Sequence, residues 1–179
     1  MLTPPVITWR KERYYVAIRT TVTMKDIPHT LPSLHPEVYA WLKKKNIQPC
    51  GPPFFQYLRL TADGRLLVEV GVTVPYAVAG EDEVISGMFP GGEYATLIHR
   101  GAYCHLKEAH MMLDAWVEKM GRDDKEVIPG EGTAFAGRTE FYLTDERVVP
   151  DAAKWETEIA FLLPAMDRRS MRRFLPVMV

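Results

Sequence analysis

Two segments, VEVGVTVP (Val68 to Pro75) and TEIAFLLP (Thr157 to Pro164), each place an acid early in an apolar, strand-forming run and close on proline. They end two stretches with the same order of elements, a constraint few folds satisfy. In the first stretch, YYVAIRTTVTM (Tyr14 to Met24) reads as a strand and a helix follows Pro36, with Val38, Trp41 and Leu42 as its apolar stripe. FFQYLRLT (Phe54 to Thr61) and RLLVEVGVTVP (Arg65 to Pro75) then read as strands joined at Asp63-Gly64, a tight hairpin turn.

The order returns in the second stretch. EYATLIHRG (Glu93 to Gly101) reads as a strand and CHLKEAHMMLDAWVEKMG (Cys104 to Gly121) as a helix, apolar at Leu106, Ala109, Leu113, Trp116 and Met120. RTEFYLTD (Arg138 to Asp145) and WETEIAFLLP (Trp155 to Pro164) supply two more strands. Trp41 aligns with Trp116 at an offset of 75, Leu60-Thr61 with Leu143-Thr144, and Glu69 with Glu158 at an offset of 89. The 14-residue difference fits an insertion, mostly in GRDDKEVIPGEGTA. The expectation is one α+β domain of two strand-helix-strand-strand repeats, about 7–78 and 90–164, followed by a tail at 165–179.

Several function classes are excluded by composition and motif. Lys and Arg number 22 against 23 Asp and Glu, so no general positive field exists to capture nucleic acid or an anionic membrane. Cys50 and Cys104 form neither a CxxC pair nor a zinc knuckle, which suits a reducing cytoplasm. No apolar run approaches the roughly 20 residues a bilayer span needs. His99, His105 and His110 have no metal-ligand spacing, GMFPGGEY lacks the Lys-Ser/Thr ending of a phosphate loop, and GxSxG is absent. No cofactor and no metal are expected.

IHRGAYCHLKEAHMMLDAWVEKMG followed by RTEFYLTDERVVPDAAKWETEIAFLLP resembles the GyrI-like small-molecule-binding domain, also found as the effector-binding half of AraC-type and MerR-type multidrug regulators. The resemblance rests on Gly101-x-Tyr103, the helix with Trp116, the turn Thr144-Asp145 before Val149-Pro150, and Trp155-x-Thr157-Glu158-Ile159 with Pro164. It implies tandem SHS2-like units related by a pseudo-twofold axis, with antiparallel sheets, helices on one face and a ligand groove between the halves. It also implies a glutamate at Glu158 among aromatic side chains, in contact with lipophilic cations. Some stand-alone members resemble hydrolases of cyclopropane-bearing DNA alkylators, and others inhibit DNA gyrase. About a dozen residues precede the first strand and hold no helix pair, so direct DNA binding is not expected.

Strand alternation puts Glu156, Glu158, Ala160 and Leu162 on one face and Trp155, Thr157, Ile159 and Phe161 on the other. If the second set meets the helices, the first lines the groove, with Glu69, Leu67, Gly71 and Thr73 on the equivalent face of the other half. A carboxylate withdrawn from water needs a cationic ligand, an internal partner such as Arg59, Arg138 or a Tyr, or a raised pKa. The candidate ligand-binding set is therefore Glu158, Glu69, Tyr57, Tyr142, Tyr103, Trp9, Ala160 and Gly71, the last two as small residues leaving room beside each acid. The expected function is capture of a hydrophobic, aromatic or cationic small molecule. The alternatives are a hydrolase with Glu158 as general base and Tyr142 as oxyanion donor, and an inhibitor of gyrase. Arg168, Arg169, Arg172 and Arg173 alternate with Met171, Phe174 and Leu175, which suits a segment packed on its own domain, on a second copy in a homodimer, or on an acidic surface.

Overall fold

A computed structural model of the chain describes residues 1–165, so the basic tail lies outside the described residues. The strands are β1 (Val6–Arg10), β2 (Arg13–Thr23), β3 (Pro53–Thr61), β4 (Arg65–Val74), β5 (Val84–Phe89), β6 (Gly92–Arg100), β7 (Lys125–Ile128), β8 (Gly132–Tyr142) and β9 (Glu156–Leu162). The helices are the single turn α1 (Ile27–Thr30), α2 (Leu34–Lys44) and α3 (Leu106–Lys119). All neighbouring strands pair antiparallel, in the order β1-β6-β9-β8-β3-β4-β2-β5, with β7 added beside β8. The α+β class expected from the sequence is the observed one.

Two connections dictate the shape of this sheet. Lys11-Glu12 joins β1 to β2, and Pro90-Gly91 joins β5 to β6, yet each pair of strands stands six places apart in the order. Six inter-strand steps span roughly 29 Å in a flat sheet. Two linking residues reach about 11 Å at most. The sheet therefore curls until its ends approach each other, which creates an inner face and an outer face.

The two longer helices, α2 and α3, lie on the outer face. Val16, Ile18, Val72 and Val74 pack with Val38 and Leu42 of α2, while Ala95, Leu97, Ile159 and Phe161 pack with Leu106, Ala109, Leu113 and Val117 of α3. The register ties the two patches to one side: Val70 stands opposite Phe55, Phe55 opposite Glu140, and Glu140 opposite Ile159. The three- and four-residue spacing of the α3 set is the periodicity that formed the helix, and Gly121, at φ 68°, ends it.

The inner face is filled by aromatics. Tyr15, Phe54, Phe89, Tyr94 and Phe141 form one cluster with Ala17 and Ala160. Gly71 was expected to leave room for a ligand, but Phe54 takes that room. A Cβ at this glycine would stand 2.3 Å from the Val16 carbonyl oxygen and 2.8 Å from Phe54 Cζ. Gly71→Ala should therefore destabilise the protein by about 1–3 kcal/mol. A lowered urea midpoint with an unchanged m-value would show this.

Candidate functional site

The two acids that the repeat brought into view both lie on the inner face, and both are already neutralised. Glu69, 2% exposed, accepts hydrogen bonds from the Tyr15 hydroxyl at 2.5 Å and from Arg19 Nη2 at 2.6 Å and Nε at 3.1 Å. Glu158 is held in a two-pronged pair by Arg10, with Nη1 and Nη2 each 2.8 Å from one carboxylate oxygen. The expected partners were Arg59 and Arg138, but Arg59 pairs with Glu131 and Arg138 is clasped by Asp124 and Asp114. Arg10 escaped notice because β1, which carries it, reads too weakly to place beside β6.

The two acids also hold different places in the ladder. Glu69 stands opposite Gln56, whose neighbour on β8 is Thr139; the residue opposite Thr139 on β9 is Ala160. Glu158 comes two residues away, opposite Phe141. Tyr142, expected beside Glu158, pairs with Thr157 and points to the outer face. Trp9 is 68% exposed on the edge strand β1, away from both acids.

A third carboxylate stands in the kind of aromatic setting that the family resemblance implied for Glu158. Glu140, 5% exposed on the outer face of β8, accepts from Tyr142 Oη at 2.5 Å and Tyr57 Oη at 3.3 Å. His110 of α3 places Nε2 2.7 Å from the other oxygen. A carboxylate only accepts, so Nε2 carries the hydrogen. From the α2 side, His35 stacks on Phe55 with centroids 5.1 Å apart and meets Tyr142 edge-on at 6.4 Å. Tyr103 contacts Tyr142 at 5.3 Å and Trp155 at 4.6 Å.

Local backbone features aim these side chains. The β3 ladder is irregular between Tyr57 and Arg59, where β8 advances from Ala134 to Arg138, so β8 carries extra residues beside Tyr57. Gly132 opens β8 at φ 109°, and a Cβ there would lie 2.0 Å from the Leu60 carbonyl oxygen. Before the irregularity the ladder is regular, with Phe55 opposite Glu140 and Tyr57 opposite Arg138, so alternation puts Tyr57 and Arg138 on the outer face with Glu140. Trp155 is fixed by donating Nε1–H to the Val149 carbonyl at 2.7 Å.

Burial sets the proton affinities here. Tyr57 and Tyr142 are raised well above the usual phenol range, first by burial and then by the Glu140 charge. Tyr103 is pushed up to about 12, by burial and then by Glu146, Asp145 and Glu140. His35 is lowered by burial, which outweighs its contact with the Phe54 carbonyl. Among the described residues, no group of three or more His, Cys, Asp and Glu is placed to hold a metal ion.

A polar cluster between two helices on a curled antiparallel sheet can be compared with known proteins. The GyrI-like small molecule binding domain matches residues 3–164. The chain belongs to the GyrI-like family. A comparison with curated protein sequences finds no match. Among solved structures, the C-terminal domain of EcmrR superposes with a TM-score of 0.72 at 20% identity, covering 91% of this chain and 98% of that one. The EcmrR of an EcmrR–DNA complex gives a TM-score of 0.69 at 20% identity over 91% of this chain, which spans only 58% of that protein. SAV2435 bound to tetraphenylphosphonium gives 0.60 at 12% identity, covering 91% of this chain and 95% of that one. These likenesses show the fold. No helix in the described residues is long and apolar enough to cross a membrane.

The lowered His35 affinity has a consequence for stability. The folded state releases a proton that the unfolded chain still binds near the ordinary value of 6.5. Stability is thus fully present above that pH and falls as pH drops toward the lower folded value. His99, also lowered first by burial, acts in the same direction. Urea denaturation at stepped pH should show the decline below about pH 6.5, and His35→Phe should make it shallower without abolishing it.

Proposed function

We propose that this chain binds a hydrophobic, aromatic or cationic small molecule on the outer face of the sheet between α2 and α3, with Glu140 as the acid that meets the ligand. The observation that carries this reading is a difference among the buried acids. Glu69 and Asp124 are compensated by Arg19 and Arg138, whereas Glu140 is held by two phenols and an imidazole and touches neither Arg nor Lys in the described residues. Three hydrogen bonds offset part of the desolvation of a carboxylate, and a cation would offset more. Tyr57, Tyr142, Tyr103 and Trp155 provide the aromatic faces such a ligand would stack on, and the tetraphenylphosphonium complex of SAV2435 is a lipophilic cation held on the same fold.

Of the residues singled out in the sequence, Tyr57, Tyr142 and Tyr103 remain in this set. Glu158, Glu69, Gly71 and Ala160 belong to the inner face, and Trp9 to the edge. The hydrolase reading shifts with them. Glu158, locked by Arg10, is a poor general base, while Glu140 sits at hydrogen-bond distance from Tyr142, the two groups that water attack on a strained ring would require. A solved hydrolase from Listeria innocua shares the fold, with a TM-score of 0.55 at 14% identity over 89% of this chain and 91% of that one.

Calorimetric titration with tetraphenylphosphonium tests the binding reading. Glu140→Gln keeps an acceptor for the tyrosines but removes the charge, and should weaken binding by about tenfold or more. Glu158→Gln should leave it unchanged. Equal affinity in wild type and Glu140→Gln, or a loss confined to Glu158→Gln, would sink the assignment. Incubation with a cyclopropane-bearing alkylator separates binding from catalysis: multiple turnovers lost in Glu140→Gln support an enzyme, and stoichiometric capture supports a binder.

A further inference from the structure

Of the three donors that hold Glu140, the two phenols stand on strands of the sheet and His110 alone comes from a helix. Its ring is fixed on three sides. Nε2 reaches Glu140 at 2.7 Å, Tyr57 meets the ring edge-on at 5.8 Å, and Phe161 of β9 lies 5.8 Å away with the planes 35° apart. The side chain nevertheless keeps 23% of its surface in solvent. Nδ1 has no hydrogen-bond partner among the described residues, and it is not one of the buried atoms left without one. A proton can therefore enter and leave at Nδ1 from water while Nε2–H stays on the carboxylate.

The other ionisable groups around this ring are engaged elsewhere or neutral. Asp114, one turn further along α3, is taken by Arg138 and Lys125, and Lys107, one turn back, is exposed. Arg138, two residues before Glu140 on β8, lies over Phe161 at 4.2 Å but is clasped by Asp124 and Asp114. Tyr57 and Tyr142, with raised proton affinities, stay phenols. His35, on the α2 side, pairs with the Phe54 carbonyl and makes no bond to Glu140, and burial lowers its proton affinity. β6, also under α3, brings His99 to the same face of the sheet, lowered first by burial. Among the described residues, a protonated His110 is thus the one internal cation in hydrogen-bond contact with Glu140.

We propose that His110 sets the charge preference of the outer-face site: its protonated ring is the internal counter-charge of Glu140, and a bound cation takes over that role and expels the Nδ1 proton to solvent. The Nε2–H bond to Glu140 stays intact throughout. This inference rests on the binding reading given above. Two cations beside one carboxylate leave a net positive charge out of water, where repulsion is weakly screened, so the complex with a neutral imidazole lies lower in free energy. A neutral aromatic brings no charge and leaves the proton where it is. Because the cation complex binds fewer protons than the free protein, cations gain affinity as pH rises through the range where imidazoles change charge, and neutral aromatics do not.

Tetraphenylphosphonium carries a fixed charge, so its calorimetric titration into the full chain between about pH 5 and 8 reads the linkage directly. Affinity should rise with pH by up to about tenfold per unit and then level off, with about one proton released per ligand in the rising range, counted in two buffers of different ionisation enthalpy. His110→Gln keeps an N–H donor for Glu140 but takes no charge, and should give an affinity that no longer varies over this range. A pH slope that survives in His110→Gln assigns the proton to another group, Glu140 included, and overturns the proposal. Binding of the wild type without pH dependence or proton release overturns it too, and leaves the outer-face site standing. No binding at any pH removes the site and this inference together. Should His110→Gln fail to fold, the His110 imidazole signal of the wild type, followed by NMR against pH, decides alone: a midpoint lowered by saturating tetraphenylphosphonium supports the exchange, and an unmoved midpoint overturns it.

Discussion

Two pairs of linking residues, Lys11-Glu12 and Pro90-Gly91, control more of this molecule than any single contact in its core. Each ties strands six places apart, so the sheet has to curl, and once it curls its two faces cease to be equivalent. The inner face is enclosed by strands alone and becomes a cluster of Phe and Tyr rings with small residues at the closest approaches. The outer face is left to α2 and α3, which cover its two flanks. Between them, β3 and β8 carry Tyr57, Glu140 and Tyr142. This polar cluster thus lies where neither helix lays its apolar stripe on the sheet.

Much of this was legible in the sequence and some was not, for identifiable reasons. The apolar spacing of Leu106, Ala109 and Leu113 marked α3, and Asp63-Gly64 marked the β3–β4 turn, because both signals are local. Alternation sorted β9 correctly: Ile159 and Phe161 meet α3, and Ala160 meets the inner cluster. β1 and β5, five and six residues long, escaped because an edge strand needs little of the apolar pattern that reveals a central one. Without β1 there was no means of finding Arg10, and without Arg10 the charge on Glu158 looked unmatched. Glu140 was hidden differently. It lies in RTEFY, a run read as a strand, but its meeting with Tyr57 depends on the β3–β8 register, and a shift of one residue would have turned it inward.

Placement of buried charge is the final step. An ionised group removed from water has to be matched, and among the described residues the buried acids Glu69, Asp124 and Glu140 are matched unequally. Glu69 and Asp124 meet guanidinium groups and so stabilise the fold around themselves. Glu140 meets two hydroxyls and an imidazole, and no guanidinium or ammonium group among the described residues. Arg13 is the mirror case, a cation whose flat faces are covered by rings and whose edge is not. Among the described residues, a single curled sheet thus carries an acid with no guanidinium or ammonium partner on its outer face and a guanidinium with an unmet edge on its inner face, kept apart by one layer of strands.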